Sequence, residues 1–184
     1  MPARLTDYVN LAEVRYPANW FSLLRLLLVP IAAIQLRRPG GRRKALLTSA
    51  IAMATDMFDG LLARSRGEVS NLGKILDPLS DKLFINSLAL ALAARGELPR
   101  WFARLLLLRD VAIVIGSALV FKRRAEIVVS QWLGKVTTAL LGVSFLFYLL
   151  NAPRWGRRLL QLSLAPMALS LLQYTIKFVK LMRG

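Results

Sequence analysis

The chain has no cysteine and no histidine. These absences exclude disulfides, thiolate and imidazole catalysis, and thiolate or imidazole sites for zinc, copper or iron. A metal held by this protein has to be a hard cation on oxygen ligands. Acids are scarce too: ten Asp and Glu stand against 26 Lys and Arg, giving a net charge of +16 over 184 residues. The opening stretch MPARLTDYVNLAEVRY is polar and lacks a cleavage-like region, so no secretory signal is expected.

What is plentiful is apolar. Hydrophobic residues make up 56% of the chain, with more leucine than a soluble domain of this length carries. Six apolar stretches approach the roughly 20 residues that a helix needs to cross a bilayer. They cover 19–36, 44–63, 72–94, 100–121, 132–150 and 158–179. The breaks between them (RRPGGRR, RSRGEVSN, RGELP, KRRAE and NAPRWGRR) hold the Gly, Pro and Arg of helix ends at a membrane surface. The expectation is an all-α membrane protein with six transmembrane helices. It forms a single integral-membrane domain over 1–184, with 1–17 as a juxtamembrane segment. In that segment Leu5, Tyr8, Val9, Leu11 and Ala12 form an imperfect apolar stripe, consistent with a short interfacial helix or a frayed terminus. The basic residues flank apolar runs instead of interleaving with them, which points to lipid headgroups and not to nucleic acid. Six spans would place 11 Lys and Arg on each side of the membrane, so loop charge does not set the orientation.

Against that background four aspartates gather in one 26-residue stretch: Asp56, Asp59, Asp77 and Asp81. An acid at the centre of a membrane helix costs on the order of 2.5–3.5 kcal/mol on insertion scales, and neighbouring acids repel one another. On a helix Asp56, Asp59, Gly60 and Ala63 share one side. Asp77 and Asp81 are four apart near the start of the next segment, with Gly73 one turn earlier. Antiparallel neighbours joined by a short loop would bring the two pairs to one depth near the membrane surface. Pro78 is expected in an early turn of that helix, where a missing N–H is tolerated. Four carboxylates on two helices suit one or two Mg²⁺ or Mn²⁺ ions. Gly60, Ala63 and Gly73 leave room for a base or pyrophosphate against the backbone, and Arg64 offers a fork for phosphate oxygens. Pairing of the acids with Lys74 or Lys82, or a proton or cation pathway, are the alternatives. The clustering at one end of two segments favours neither.

The pattern D56-x2-D59-G60-x2-A63-R64-x8-G73-x3-D77-x3-D81 resembles, without gap or substitution, the signature of the CDP-alcohol phosphotransferases. It fixes eight residues at set spacing, and six spans with the motif across the second and third resemble the architecture of that family. The resemblance implies an enzyme that binds a CDP-linked lipid, usually CDP-diacylglycerol, with its pyrophosphate on the metals. An alcohol attacks the lipid-linked phosphate and CMP leaves. Asp56, Asp59, Asp77 and Asp81 would be metal ligands, with Asp81 also the general base. Asp56, Asp59, Gly60, Ala63, Arg64, Gly73 and Asp77 would frame the CDP moiety. The absence of His and Cys favours direct displacement over a covalent enzyme intermediate.

Three further elements bear on the acceptor. N19-W-F-S22-L-L-R25 resembles the N-x-x-T-x-x-R element of phosphatidylglycerophosphate synthases, with Ser22 for Thr. R109-D110 resembles their Arg-Glu pair. S130-Q-W-L-G134-K135-V-T137-T138 resembles their Ser…Gly-Lys-x-Lys-Thr stretch, with Thr137 where a second Lys is usual. An acceptor carrying its own phosphate needs fixed cations, so Arg25, Arg109 and Lys135, with Ser22 and Thr138, are the candidate contacts and glycerol 3-phosphate the first acceptor. Arg-Asp followed by Gly-Lys-x-Thr also resembles cardiolipin synthases that use phosphatidylglycerol; inositol phosphate, serine or another alcohol come after. Pairing of Arg109 with Asp110, or snorkelling, is the plain alternative for these cations. The non-enzyme reading is an ion-conducting six-helix protein. The small-residue runs at 89–94 and 116–118 suit close helix packing, and the resemblance implies a homodimer through this region. Composition suggests a prokaryotic inner membrane, and the aspartate face is expected in the cytoplasm, where CDP-lipids and glycerol 3-phosphate occur.

Overall fold

The computed structural model describes residues 17–66, 71–124 and 132–183, with side chains described for 20–55, 78–121 and 132–182. The described residues form six α-helices: α1 (Pro17–Arg37), α2 (Arg42–Arg66), α3 (Asn71–Ala94), α4 (Arg100–Arg124), α5 (Trp132–Leu149) and α6 (Pro153–Arg183). Each matches an expected apolar stretch. The interfacial helix read at the N-terminus lies outside the described residues. Three helices are long and apolar enough to cross a membrane, over Trp20–Arg37, Trp132–Leu149 and Pro153–Met182. The other three carry ionisable residues in mid-helix: Asp56 and Asp59 on α2, Asp77, Asp81 and Lys82 on α3, and Arg109 and Asp110 on α4.

The chain divides into two compact units at Arg100 and Trp101. In the first, α1 packs against both α2 and α3. Its buried residues are Ser22, Arg25, Val29, Ala32 and Leu36, alternating steps of three and four. That is the narrow seam of a helix packed along its length. The seam of α2 is made of small side chains, Ala45, Ser49, Ala52 and Thr55, which let helix backbones approach closely. Other large apolar side chains of α1 lie outside these seams, with Trp20, Leu27 and Ile34 all more than half exposed. Buried serine, arginine and threonine beside exposed leucine and tryptophan suit a protein whose solvent is lipid.

The turns of this unit are tied by backbone and charge. Gly40 has φ 70°, and a Cβ on Gly41 would clash with the Gln35 carbonyl oxygen, so neither position of the α1–α2 turn takes a side chain. The end of α3 closes with Gly96 at φ 73°, Gly96 N–H donating to Ala93 O at 3.1 Å and Glu97 N–H to Leu92 O at 3.0 Å. This is the paired closure a left-handed glycine makes at a helix C-terminus. Arg95 then donates to Leu36 O at 2.9 Å, capping α1, while Glu97 accepts from Arg42 and Arg95. Arg95 and Glu97 together thus join the ends of α1, α2 and α3.

In the second unit α5 packs along α6. The buried faces run Gly134, Thr137, Leu141, Ser144 and Tyr148 on α5 and Leu160, Ser163, Met167 and Ser170 on α6. Asn151 takes the left-handed conformation at φ 60°, with Ala152 N–H on Phe147 O at 2.8 Å and Asn151 N–H on Tyr148 O at 3.1 Å. Pro153 then opens α6, its fixed φ suited to a first helical position. The sequence expectation began this helix at 158, reading NAPRWGRR as a break. The turn is shorter because asparagine closes one helix and proline starts the next. Gly156 lies against Tyr148, and Ser144 Oγ donates to its carbonyl at 2.7 Å.

Candidate active site

Both halves of the aspartate motif are helical. Asp56, Asp59, Gly60, Ala63 and Arg64 occupy the last third of α2, and Gly73, Asp77 and Asp81 the first half of α3. Residues 67–70 between them, and the side chains of Asp56, Asp59, Ala63, Arg64 and Asp77, lie outside the described ones. The helical register keeps Asp56, Asp59 and Ala63 on one side of α2, and Asp77 and Asp81 on one side of α3. Just before the motif Thr55 is buried and its hydroxyl donates back to Ala52 O at 2.7 Å. Pro78 stands inside α3 rather than in its first turn, because the helix starts at Asn71. It therefore cannot donate to the carbonyl of Lys74, inside the motif.

Of the four aspartates, Asp81 has its side chain among the described residues. Its side chain is 43% exposed, and one carboxylate oxygen lies 3.4 Å from Arg25 Nη1. Arg25, on α1, is 2% exposed and donates from the same nitrogen to Ser80 Oγ at 3.1 Å. Ser22, one turn earlier on α1, is buried as well. Packing of α1 on α3 thus sets a buried cation behind an accessible carboxylate.

The remaining acceptor candidates are placed within the second unit. Arg109 and Asp110 of α4 are both buried; Arg109 donates to Asp110 Oδ1 at 3.0 Å and to Ser170 Oγ on α6 at 2.6 Å. Its guanidinium is engaged by protein groups, the plain reading the sequence allowed. Lys135 is exposed and Thr138 half-buried, the latter donating to Gly134 O at 3.0 Å. Ser130 lies outside the described residues. Thr137, which stands where a lysine is usual, is fully buried with its hydroxyl on Leu133 O at 2.7 Å.

A family model of CDP-alcohol phosphatidyltransferases matches residues 15–176. The chain belongs to the CDP-alcohol phosphatidyltransferase family. A probable phosphatidylglycerophosphate synthase of Mycobacterium tuberculosis is 33% identical over 144 residues, covering 76% of this chain and 68% of that protein. A CDP-diacylglycerol–glycerol-3-phosphate 3-phosphatidyltransferase of Bacillus subtilis is 34% identical over 134 residues, 65% of this chain and 69% of its own length. A cardiolipin synthase (CMP-forming) of Streptomyces coelicolor is 33% identical over 138 residues, 72% of this chain and 64% of its own.

This phosphatidyltransferase is therefore an enzyme, a transferase of phospholipid biosynthesis, and the ion-conducting reading falls away. Two of its residues escaped the sequence reading. Ser80 accepts from Arg25 and Ser170 from Arg109. Ser80 was masked by its neighbour Asp81. Ser170 had a usable signal, since Gly156, Ser163 and Ser170 recur at seven-residue intervals on α6.

Proposed function

We propose that this transferase moves a phosphatidyl group from CDP-diacylglycerol to glycerol 3-phosphate, releasing CMP and forming phosphatidylglycerophosphate. The observation that carries the reading is the unbroken motif on two consecutive helices with Asp81 accessible at its end. The names of the mycobacterial and Bacillus relatives support the acceptor. In the reaction the acceptor hydroxyl oxygen forms a bond to the lipid-linked phosphorus. The pyrophosphate P–O bond breaks, CMP carries away the bridging oxygen, and the hydroxyl proton passes to Asp81. A positioned carboxylate of this kind contributes about 10²- to 10⁴-fold.

Asp56, Asp59, Asp77 and Asp81 form an all-carboxylate donor set, which fits one or two Mg²⁺ or Mn²⁺ ions and no soft metal. Such ions, when bound, neutralise the pyrophosphate and stabilise the leaving group. Gly60, Ala63 and Gly73 admit the CDP moiety close to the helix backbones, and Arg64 meets phosphate oxygens. Of the acceptor candidates, Lys135 and Thr138 are accessible enough to touch substrate directly. Ser22, Arg25 and Arg109 are buried and bonded to the protein. All six helices span the membrane in this reading. The motif face lies in the cytoplasm of a prokaryotic inner membrane, the lipid donor enters sideways from the bilayer, and two copies pair as a homodimer.

A second reading has support in one position. Thr137 removes a cation that a phosphomonoester would use, and a Streptomyces relative is a cardiolipin synthase. Phosphatidylglycerol, with a phosphodiester, needs less charge. Purified protein given CDP-diacylglycerol, Mn²⁺ and each acceptor separately decides between them by CMP release. Release with glycerol 3-phosphate is expected. Release with phosphatidylglycerol alone would replace the first reading by the second.

A further inference from the structure

We infer that Arg25 is a positioning residue for the transfer step, acting through Asp81, with Ser80 as its anchor. The inference rests on the proposed role of Asp81 as proton acceptor, and it gives Arg25 a task other than binding the acceptor's phosphate. Three observations carry it. First, Arg25 is 2% exposed while the Asp81 side chain is 43% exposed. A phosphate arriving from water meets the carboxylate, and reaching the guanidinium would require opening the seam that α1 buries from Ser22 to Leu36. Second, Arg25 Nη1 donates to Asp81 Oδ1 at 3.4 Å, a charge-assisted contact that ties one carboxylate oxygen to the buried guanidinium. Third, the same nitrogen is fixed by Ser80 Oγ at 3.1 Å, one residue before Asp81 on α3.

The arrangement is a chain of support. Ser80 holds the guanidinium, the guanidinium holds the carboxylate, and α1 supplies the rigid base. An arginine in this place is pre-organised by its planar fork, whereas a lysine would keep the charge and lose part of the orientation. A carboxylate left to rotate would still take a proton but would spend less time aimed at the acceptor oxygen. Precision of this order is what supporting shells around a reacting group provide.

The test separates this role from an acceptor contact and from a merely structural tie. Purified enzyme with CDP-diacylglycerol and Mn²⁺ is assayed with whichever of glycerol 3-phosphate, phosphatidylglycerol, inositol phosphate and serine supports CMP release, so the choice of acceptor can fail while this inference stands. Arg25→Gln is expected to lower kcat roughly 10- to 100-fold, with KM for the acceptor within about twofold of the parent. Arg25→Lys should restore part of the lost rate, and Ser80→Ala should shift kcat in the same direction by less. In an Asp81→Asn background Arg25→Gln should change the rate no further, since residues that act as a unit are not additive. Calorimetric titration of the acceptor without CDP-lipid should give the same Kd for parent and Arg25→Gln. A raised acceptor Kd or KM at unchanged kcat, full activity in Arg25→Gln, or an undiminished loss in the Asp81→Asn background would overturn the inference. Should Arg25→Gln not fold, Arg25→Lys and Ser80→Ala carry the decision, and unchanged kcat in both would contradict it.

Discussion

Asp81 and Arg25 form an ion pair of unequal halves, one open to substrate and one sealed in the protein. Replacing Asp81 by Asn keeps the shape and removes the proposed proton acceptor. CMP release is expected to fall by about 10²- to 10⁴-fold, with the melting temperature in detergent little changed. The pair Arg109 and Asp110 is different, since both side chains are only 7% exposed. Arg109→Met would leave Asp110 buried without that cation, and breaking a buried pair costs about 3–5 kcal/mol. A thermal melt should show a large loss of stability, partly recovered in Arg109→Met with Asp110→Leu, where neither charge of the pair remains. At this scale the sequence was legible for the motif, because spacing on a helix is a geometric statement. It was less legible for the cations. Arg25 and Arg109 read as phosphate ligands by type and register, but what each touches depends on which helix packs opposite, and so on Ser80 and Ser170. Thr137 shows the same limit: its missing charge was plain in the sequence, its complete burial was not.

Among the elements, what holds helices together is a repeat of small or polar residues at three- and four-residue steps. Gly156 marks a close approach between α5 and α6. A Cβ there would stand 2.7 Å from the Tyr148 ring and 3.0 Å from Ser144 O, and a helix backbone cannot yield as a flexible chain end could. Gly156→Ala is expected to cost about 1–3 kcal/mol, read as a lower melting temperature. Ala50→Gly, on the exposed side of α2, should cost no more than about 1 kcal/mol. Helix count and approximate bounds were readable from apolar run length and from Gly, Pro and Arg at the breaks. The start of α6 was not, since a run holding Asn, Pro, Gly and three arginines looks like a loop until Asn151 is seen to close one helix and Pro153 to open another.

At the scale of the whole molecule, large apolar side chains such as Trp20, Leu27 and Leu108 are exposed while Ser22, Arg25 and Ser163 are buried, and the enzyme belongs to a family that works on lipids. The absence of cysteine makes its orientation directly measurable. With six spans and a cytoplasmic motif face, single cysteines at Arg38 and Ala152 should react with an impermeant maleimide from outside intact spheroplasts, and one at Ser65 only after permeabilisation. The reverse pattern would place the motif on the outer face. Removal of divalent cations with EDTA should abolish CMP release, and Mg²⁺ or Mn²⁺ should restore it while Zn²⁺ restores less, as the proposed all-oxygen donor set predicts.

The most direct measurement of the central claim follows glycerol 3-phosphate labelled in its glycerol into lipid. Purified enzyme, CDP-diacylglycerol and Mn²⁺ should carry the label into the chloroform phase with one CMP released per label transferred, and Asp81→Asn should not. Label that stays in water while CMP forms with phosphatidylglycerol, or transfer undiminished in Asp81→Asn, would contradict the account.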